Sequence, residues 1–181
     1  MTANEKLRFY GLFDAALMPK IWFNLEAWQL PYEPLYRGNY QPIAEAIPYI
    51  IELDALVNSD SVYTLLKQGD YHLALFICSS LSLDELTRKL ALFYHVEDER
   101  GIPYLRRFFD VRFFEHFLKT LSAEEVAYLF DKETTFYHFL SREKDYCRMY
   151  GKDSINLTTY IDYSTMTEIK RLHDFLPHFK E

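Results

Sequence analysis

At 181 residues, 49% of them hydrophobic, the chain can bury a core of its own, which excludes intrinsic disorder. A formal charge of −7 and a pI near 5.4 leave no basic stripe for a phosphate backbone, so nucleic acid is not an expected partner. No stretch approaches bilayer-spanning length and MTANEKLRFYGLF has no uninterrupted apolar run behind its charges, so a cytoplasmic protein with no membrane partner is expected.

Residues Arg8 to Phe13 read as a first strand, and Asp14 precedes a helix whose Ile21, Trp22, Leu25 and Trp28 share one face. Pro19 fits only the first turn of that helix. Leu30 to Gln41, with Pro31, Pro34 and Gly38, is a turn-rich connection carrying a short strand at Tyr32 to Tyr36. Pro48 to Leu53 reads as a strand, Ser61 to Gln68 as a short helix and Leu73 to Ser79 as a strand. The unbroken apolarity of the last argues for burial on both faces. Ser82 and Glu85 make a capping box for a helix carrying Leu83, Leu86, Leu90 and Phe93.

The next stretch, Pro103 to Leu121, organises the rest. Tyr104 to Phe109 has the length and aromatic content of a strand, and Phe113, Phe114, Phe117, Leu118 and Leu121 then follow helical spacing. Asp110 stands at the joint as an N-cap, positioned to accept from the main-chain N–H of Arg112 or Phe113. Side chains alternate along a strand, so Arg106 and Arg107 point to opposite faces, and in a central strand at least one of them is partly buried and needs a carboxylate or carbonyl partner. The candidate closest in sequence is Asp110.

Beyond 121 a second capping box, Ser122 with Glu125, opens a short helix to Leu129. Phe136 to Leu140 and Tyr146 to Tyr150 fit strand or loop, and a last helix runs from Thr165 to the residue before Pro177. The expected architecture is α/β, with a mixed sheet flanked by helices in an N-terminal lobe of residues 1–121. Residues 122–181 form a smaller, mainly helical C-terminal lobe.

Site chemistry is sparse. The six histidines show no metal-ligating spacing, and the five glycines never fall two to a short loop, which excludes a Walker or dinucleotide loop. Ser79, Ser80 and Ser82 lack a nucleophile-elbow context and read as caps. Glu97, Asp98 and Glu99 read as a solvated acidic turn. Cys78 and Cys147 are two reduced thiols, and no cofactor or metal is expected. The aromatic share of 18%, with 15 Tyr and 15 Phe, leaves two readings open: a ring-heavy core, or rings on a protein-binding surface.

Several short motifs then occur in a suggestive order: Tyr10-x-x-x-Asp14, Leu35-Tyr36-Arg37-Gly38, Pro48-Tyr49-Ile50-Ile51 with Leu53, and the Ser80-Leu81-Ser82-Leu83 helix start. Arg107-Phe108-Phe109-Asp110 with Arg112 follows, with Val111 where the pattern carries proline. Over about residues 8 to 121 this resembles the Tap/TEC-type domain of bacterial type VI secretion effector adaptors. The resemblance implies a non-enzymatic cytoplasmic chaperone that binds one cognate effector toxin and helps load it onto the VgrG spike. It also makes Asp14, Arg107, Asp110 and Arg112 a structural motif. Rings beyond it, Phe136, Tyr137, Tyr146, Tyr150 and Tyr160, are the expected cargo contacts. The alternatives are an immunity-type toxin binder and a small hydrolase using Arg107, Asp110 and Asp14 at a strand-end cleft.

Overall fold

The computed structural model describes residues 6–53, 60, 61, 65, 71–139, 146–152 and 159–162, of which 71, 139, 146, 147 and 159–162 are described in backbone only. Nine strands occur among these: β1 (Arg8–Asp14), β2 (Tyr32–Pro34), β3 (Pro48–Glu52), β4 (Leu75–Ser79), β5 (His95–Glu97), β6 (Pro103–Leu105), β7 (Thr135–Phe139), β8 (Tyr146–Tyr150) and β9 (Thr159–Asp162). The α-helices whose bounds fall among the described residues are α1 (Pro19–Trp28), α2 (Leu83–Tyr94), α3 (Phe114–Thr120) and α4 (Ala123–Leu129). Seven strands form one sheet in the order β2-β3-β1-β4-β7-β8-β9, while β5 and β6 pair as a separate hairpin.

β1 occupies the interior of the sheet, and its alternation distributes the core. Phe9 and Phe13 face one side with Tyr49 and Ile51 of β3, Phe76 and Cys78 of β4 and Tyr137 of β7, and α1 covers them with Ile21, Leu25 and Trp28. Tyr10 and Leu12 face the other side with Ile50, Leu75, Ile77 and Phe136, beneath α2, α3 and α4. This two-sided burial is why β3 and β4 read as continuous apolar runs.

The α/β class is as the sequence predicts. Strand direction, expected to be mixed, is antiparallel at every described pairing, from β2·β3 through β8·β9. Pro19 takes the first turn of α1, and both capping boxes form around Ser82 and Ser122. Of the short helix expected from Ser61, the described residues 60, 61 and 65 are helical and the rest lie outside the described residues. The last helix, from Thr165, lies outside them entirely. What is described beyond residue 122 is α4 and three strands, and those strands extend the N-terminal sheet through the β4·β7 pairing, where a mainly helical lobe was expected.

The Pro103 stretch departs most from its sequence reading. Its strand ends at Leu105, residues 106–113 form turns over the sheet, and α3 starts at Phe114 with Phe113 at its N-cap. Phe108, Phe109, Phe114 and Phe117 are all buried, and the Phe93, Phe108 and Phe117 rings pack within 5.2–6.3 Å of one another. Each ring buries a large apolar area as it turns inward, which outweighs the β-propensity of the run.

Candidate functional site

Asp14 ends β1, and its carboxylate is only 3% exposed. It accepts from the main-chain N–H of Ala16 at 3.1 Å and forms an ion pair with the Arg107 guanidinium, 93 residues away. Arg107 therefore serves Asp14, and the expected clasp from Arg106 or Arg107 to Asp110 is replaced by a longer-range one. Asp110 is held instead by Arg112. The Arg112 Nε and Nη2 donate to the two carboxylate oxygens at 2.9 and 2.6 Å, and the Arg112 main-chain N–H donates to Oδ1 at 3.1 Å. Asp110 thus braces a turn before the helix rather than capping it. Those hydrogen bonds from Arg112 hold its carboxyl below the usual carboxylate range, against the opposing effect of burial. Arg106 takes neither acid and lies over the Phe117 ring at 5.8 Å.

The remaining motif residues also act on the scaffold. The Tyr10 hydroxyl donates to the Leu81 carbonyl at 2.6 Å, and burial pushes its phenol above the usual range. Leu35 is buried; Tyr36 packs its ring 5.3 Å from that of His95. The main-chain N–H of Arg37 donates to His95 Nε2 at 2.9 Å and its guanidinium to the Arg88 carbonyl at 3.1 Å. Gly38 follows at φ 105°, a left-handed conformation that favours glycine. The His95 imidazole is lowered in pKa by burial and then by Arg37, so it stands neutral as the acceptor.

The rings expected to touch cargo are placed differently. Phe136, Tyr137 and Tyr150 are no more than 2% exposed and belong to the two cores, because β7 and β8 lie inside the sheet rather than on a separate lobe. A partner cannot reach them while the fold is intact. Tyr146 and Tyr160 lie in β8 and β9, and their side chains are outside what the structure describes. Among the described residues most of the aromatic surplus is thus core, and the exposed Phe and Tyr rings are Phe23, Tyr104, Phe113 and Tyr128.

A buried polar cluster went unread in the sequence. Lys89, 4% exposed, reaches inward from α2 to the Asp131 carboxylate, and its ammonium donates to Thr134 Oγ1 at 3.3 Å. Ser79 Oγ lies 2.9 Å from the same Thr134 hydroxyl. The Lys132 carbonyl accepts from Ser80 N–H at 3.1 Å and Ser80 Oγ at 3.0 Å. Burial lowers the Lys89 pKa, and the hydrogen bond its ammonium donates to Asp131 opposes that shift. The serines assigned as caps therefore fasten the turn ahead of β7, except Ser82, which does cap. A lysine at the inward spacing of Leu86, Leu90 and Phe93 was the one available signal.

Among the described residues no group of three or more His, Cys, Asp or Glu is placed to hold a metal ion, and no helix is long and apolar enough to cross a membrane. Fold and site together define a class: an antiparallel-sheet α/β domain whose buried charges Asp14, Lys89 and Asp110 are each engaged by a more exposed partner of opposite sign. The particular family follows from the sequence itself. The chain belongs to DUF4123, a domain of unknown function, whose pattern it matches over residues 9–128. No curated protein and no solved structure matches it.

Proposed function

We propose that this chain is a non-enzymatic adaptor that binds a cognate type VI secretion effector in the cytoplasm and helps load it onto the VgrG spike. Membership of DUF4123 over residues 9–128 carries the proposal, since the motifs resembling the adaptor signature fall within that span. The geometry supports the non-catalytic part. Asp14 and Asp110 are each engaged by an arginine, and neither has a serine, cysteine or histidine nucleophile among its hydrogen-bond partners. Charges satisfied in this way serve the fold.

The test is genetic and biochemical together. Deleting the gene is expected to stop export of the effector encoded beside it, and the two proteins are expected to co-purify. Intact export with self-poisoning of the deletion strain would identify an immunity protein. Asp110→Asn is expected to lower the melting temperature. An Asp110→Asn chain that melts like wild type yet loses function would favour the hydrolase.

A further inference from the structure

Two open grooves meet at the Tyr36–Arg37 turn. One, of about 350 Å³, runs between that turn and the β5–β6 hairpin, with Pro103, Tyr104 and Leu105 along it. The other, of about 570 Å³, lies on the outer side of α2 beside Leu92 and Tyr128. Arg37 lines both. Tyr104, Leu105, Leu92 and Tyr128 are between 41% and 50% exposed, and β6 is exposed along its whole length.

Arg37 is held in place without being neutralised. Its backbone is tied to His95 and its guanidinium to a helix carbonyl, and among the described residues no carboxylate pairs with it. Arg88, Arg107 and Arg112 each hold an acid. A fixed guanidinium with no carboxylate partner, standing between the apolar side chains Tyr104 and Leu105 of one groove and Leu92 and Tyr128 of the other, is complementary to a carboxylate flanked by apolar groups. Grooves this open bury too little of a small molecule to hold one, whereas a polypeptide segment can lie along both.

We infer that the double groove receives an extended segment of the effector, which places one carboxylate on Arg37 and apolar side chains against Leu105 and Tyr104 on one side and Leu92 and Tyr128 on the other. Glu97 lines the first groove and Glu85 the second, while Arg88 and Lys89 of the second groove already hold Asp84 and Asp131, so a single acid between neutral residues is favoured over a run of acids. The inference rests on the adaptor reading and names the surface that reading requires.

The experiment titrates the full chain with the effector encoded beside it, by calorimetry. Arg37→Glu and Leu105→Asp are compared with Phe23→Asp, which alters a ring 75% exposed on α1, away from either groove. The first two are expected to weaken binding by about tenfold or more, with wild-type melting temperatures, and the third to leave it unchanged. Replacing the matching effector acid with arginine is expected to restore binding to Arg37→Glu, and Arg37→Gln serves should the reversal disturb the fold. Wild-type affinity in the Arg37 and Leu105 variants overturns the groove alone, as does equal weakening by Phe23→Asp. A wild-type chain that binds no effector overturns the adaptor reading itself.

Discussion

A Cβ added to Gly11 would stand 2.1 Å from the Phe13 ring, two residues along the same face of β1. That ring is fully buried and packs edge-on against Phe76 at 6.0 Å, so it has nowhere to retreat. Gly11→Ala is expected to cost about 2 kcal/mol by overpacking, a fall of roughly 4–8 °C in a thermal melt. The Asp14–Arg107 pair gives an asymmetric prediction. Removing the arginine leaves a buried carboxylate with only the Ala16 N–H, whereas removing the acid leaves a guanidinium already 44% exposed. Arg107→Ala is therefore expected to cost about 2 kcal/mol and Asp14→Asn less, measured by urea denaturation. Equal losses would show that the exposed end matters as much as the buried one. None of this pairing was legible in the sequence, because the nearest acid to Arg107 in the chain is Asp110 and Asp14 is brought up only by folding.

At the scale of elements, legibility followed locality. β1, β3 and β4 and the two capping boxes were readable because an apolar run or a four-residue motif suffices to specify them. The start of α3 was misplaced by three residues because Asp110 has the chemistry of a cap but is occupied by Arg112. The position of β7 was not readable at all, since pairing with β4 is a long-range choice between edges. It has a consequence for dissecting the chain. Ending the protein at Leu121 would strip β4 of one of its two neighbours and remove Tyr137 from one core and Phe136 from the other. Such a truncated chain is expected to aggregate rather than fold, with its exposed strand edge as the cause. A monomeric, cooperatively melting fragment would show that residues 1–121 stand alone. The turn before β7 offers the converse. Lys132 and Glu133 both sit at φ 54°, a left-handed conformation costly for residues with a Cβ. Glu133→Gly is expected to stabilise the protein by about 0.5–1 kcal/mol in the same denaturation assay.

The whole molecule titrates in two stages as pH falls. His138 on β7 has its pKa lowered to about 4, first by burial and then by Arg148 and His72, against the bond involving the His72 backbone. Its unfolded counterpart takes up a proton near 6.5. Above that value the imidazole is neutral in both states and stability is complete. Between 6.5 and about 4 only the unfolded chain binds the proton, so stability falls, by about 2–3 kcal/mol over the window. His95, also lowered by burial, acts in the same direction. Asp110 enters later. Its folded pKa lies below the ordinary 3.8 of an aspartate, so its contribution is full above that value and is lost as pH drops through the folded one. A series of urea midpoints from pH 7 to pH 3 is therefore expected to decline from about 6.5 downward, well before carboxylates protonate. His138→Gln is expected to flatten the upper part of that decline and leave the part below pH 4 in place. A wild-type midpoint constant from pH 7 to pH 4.5 would mean that the β7 histidine meets water in the folded protein, and that the sheet opens around it.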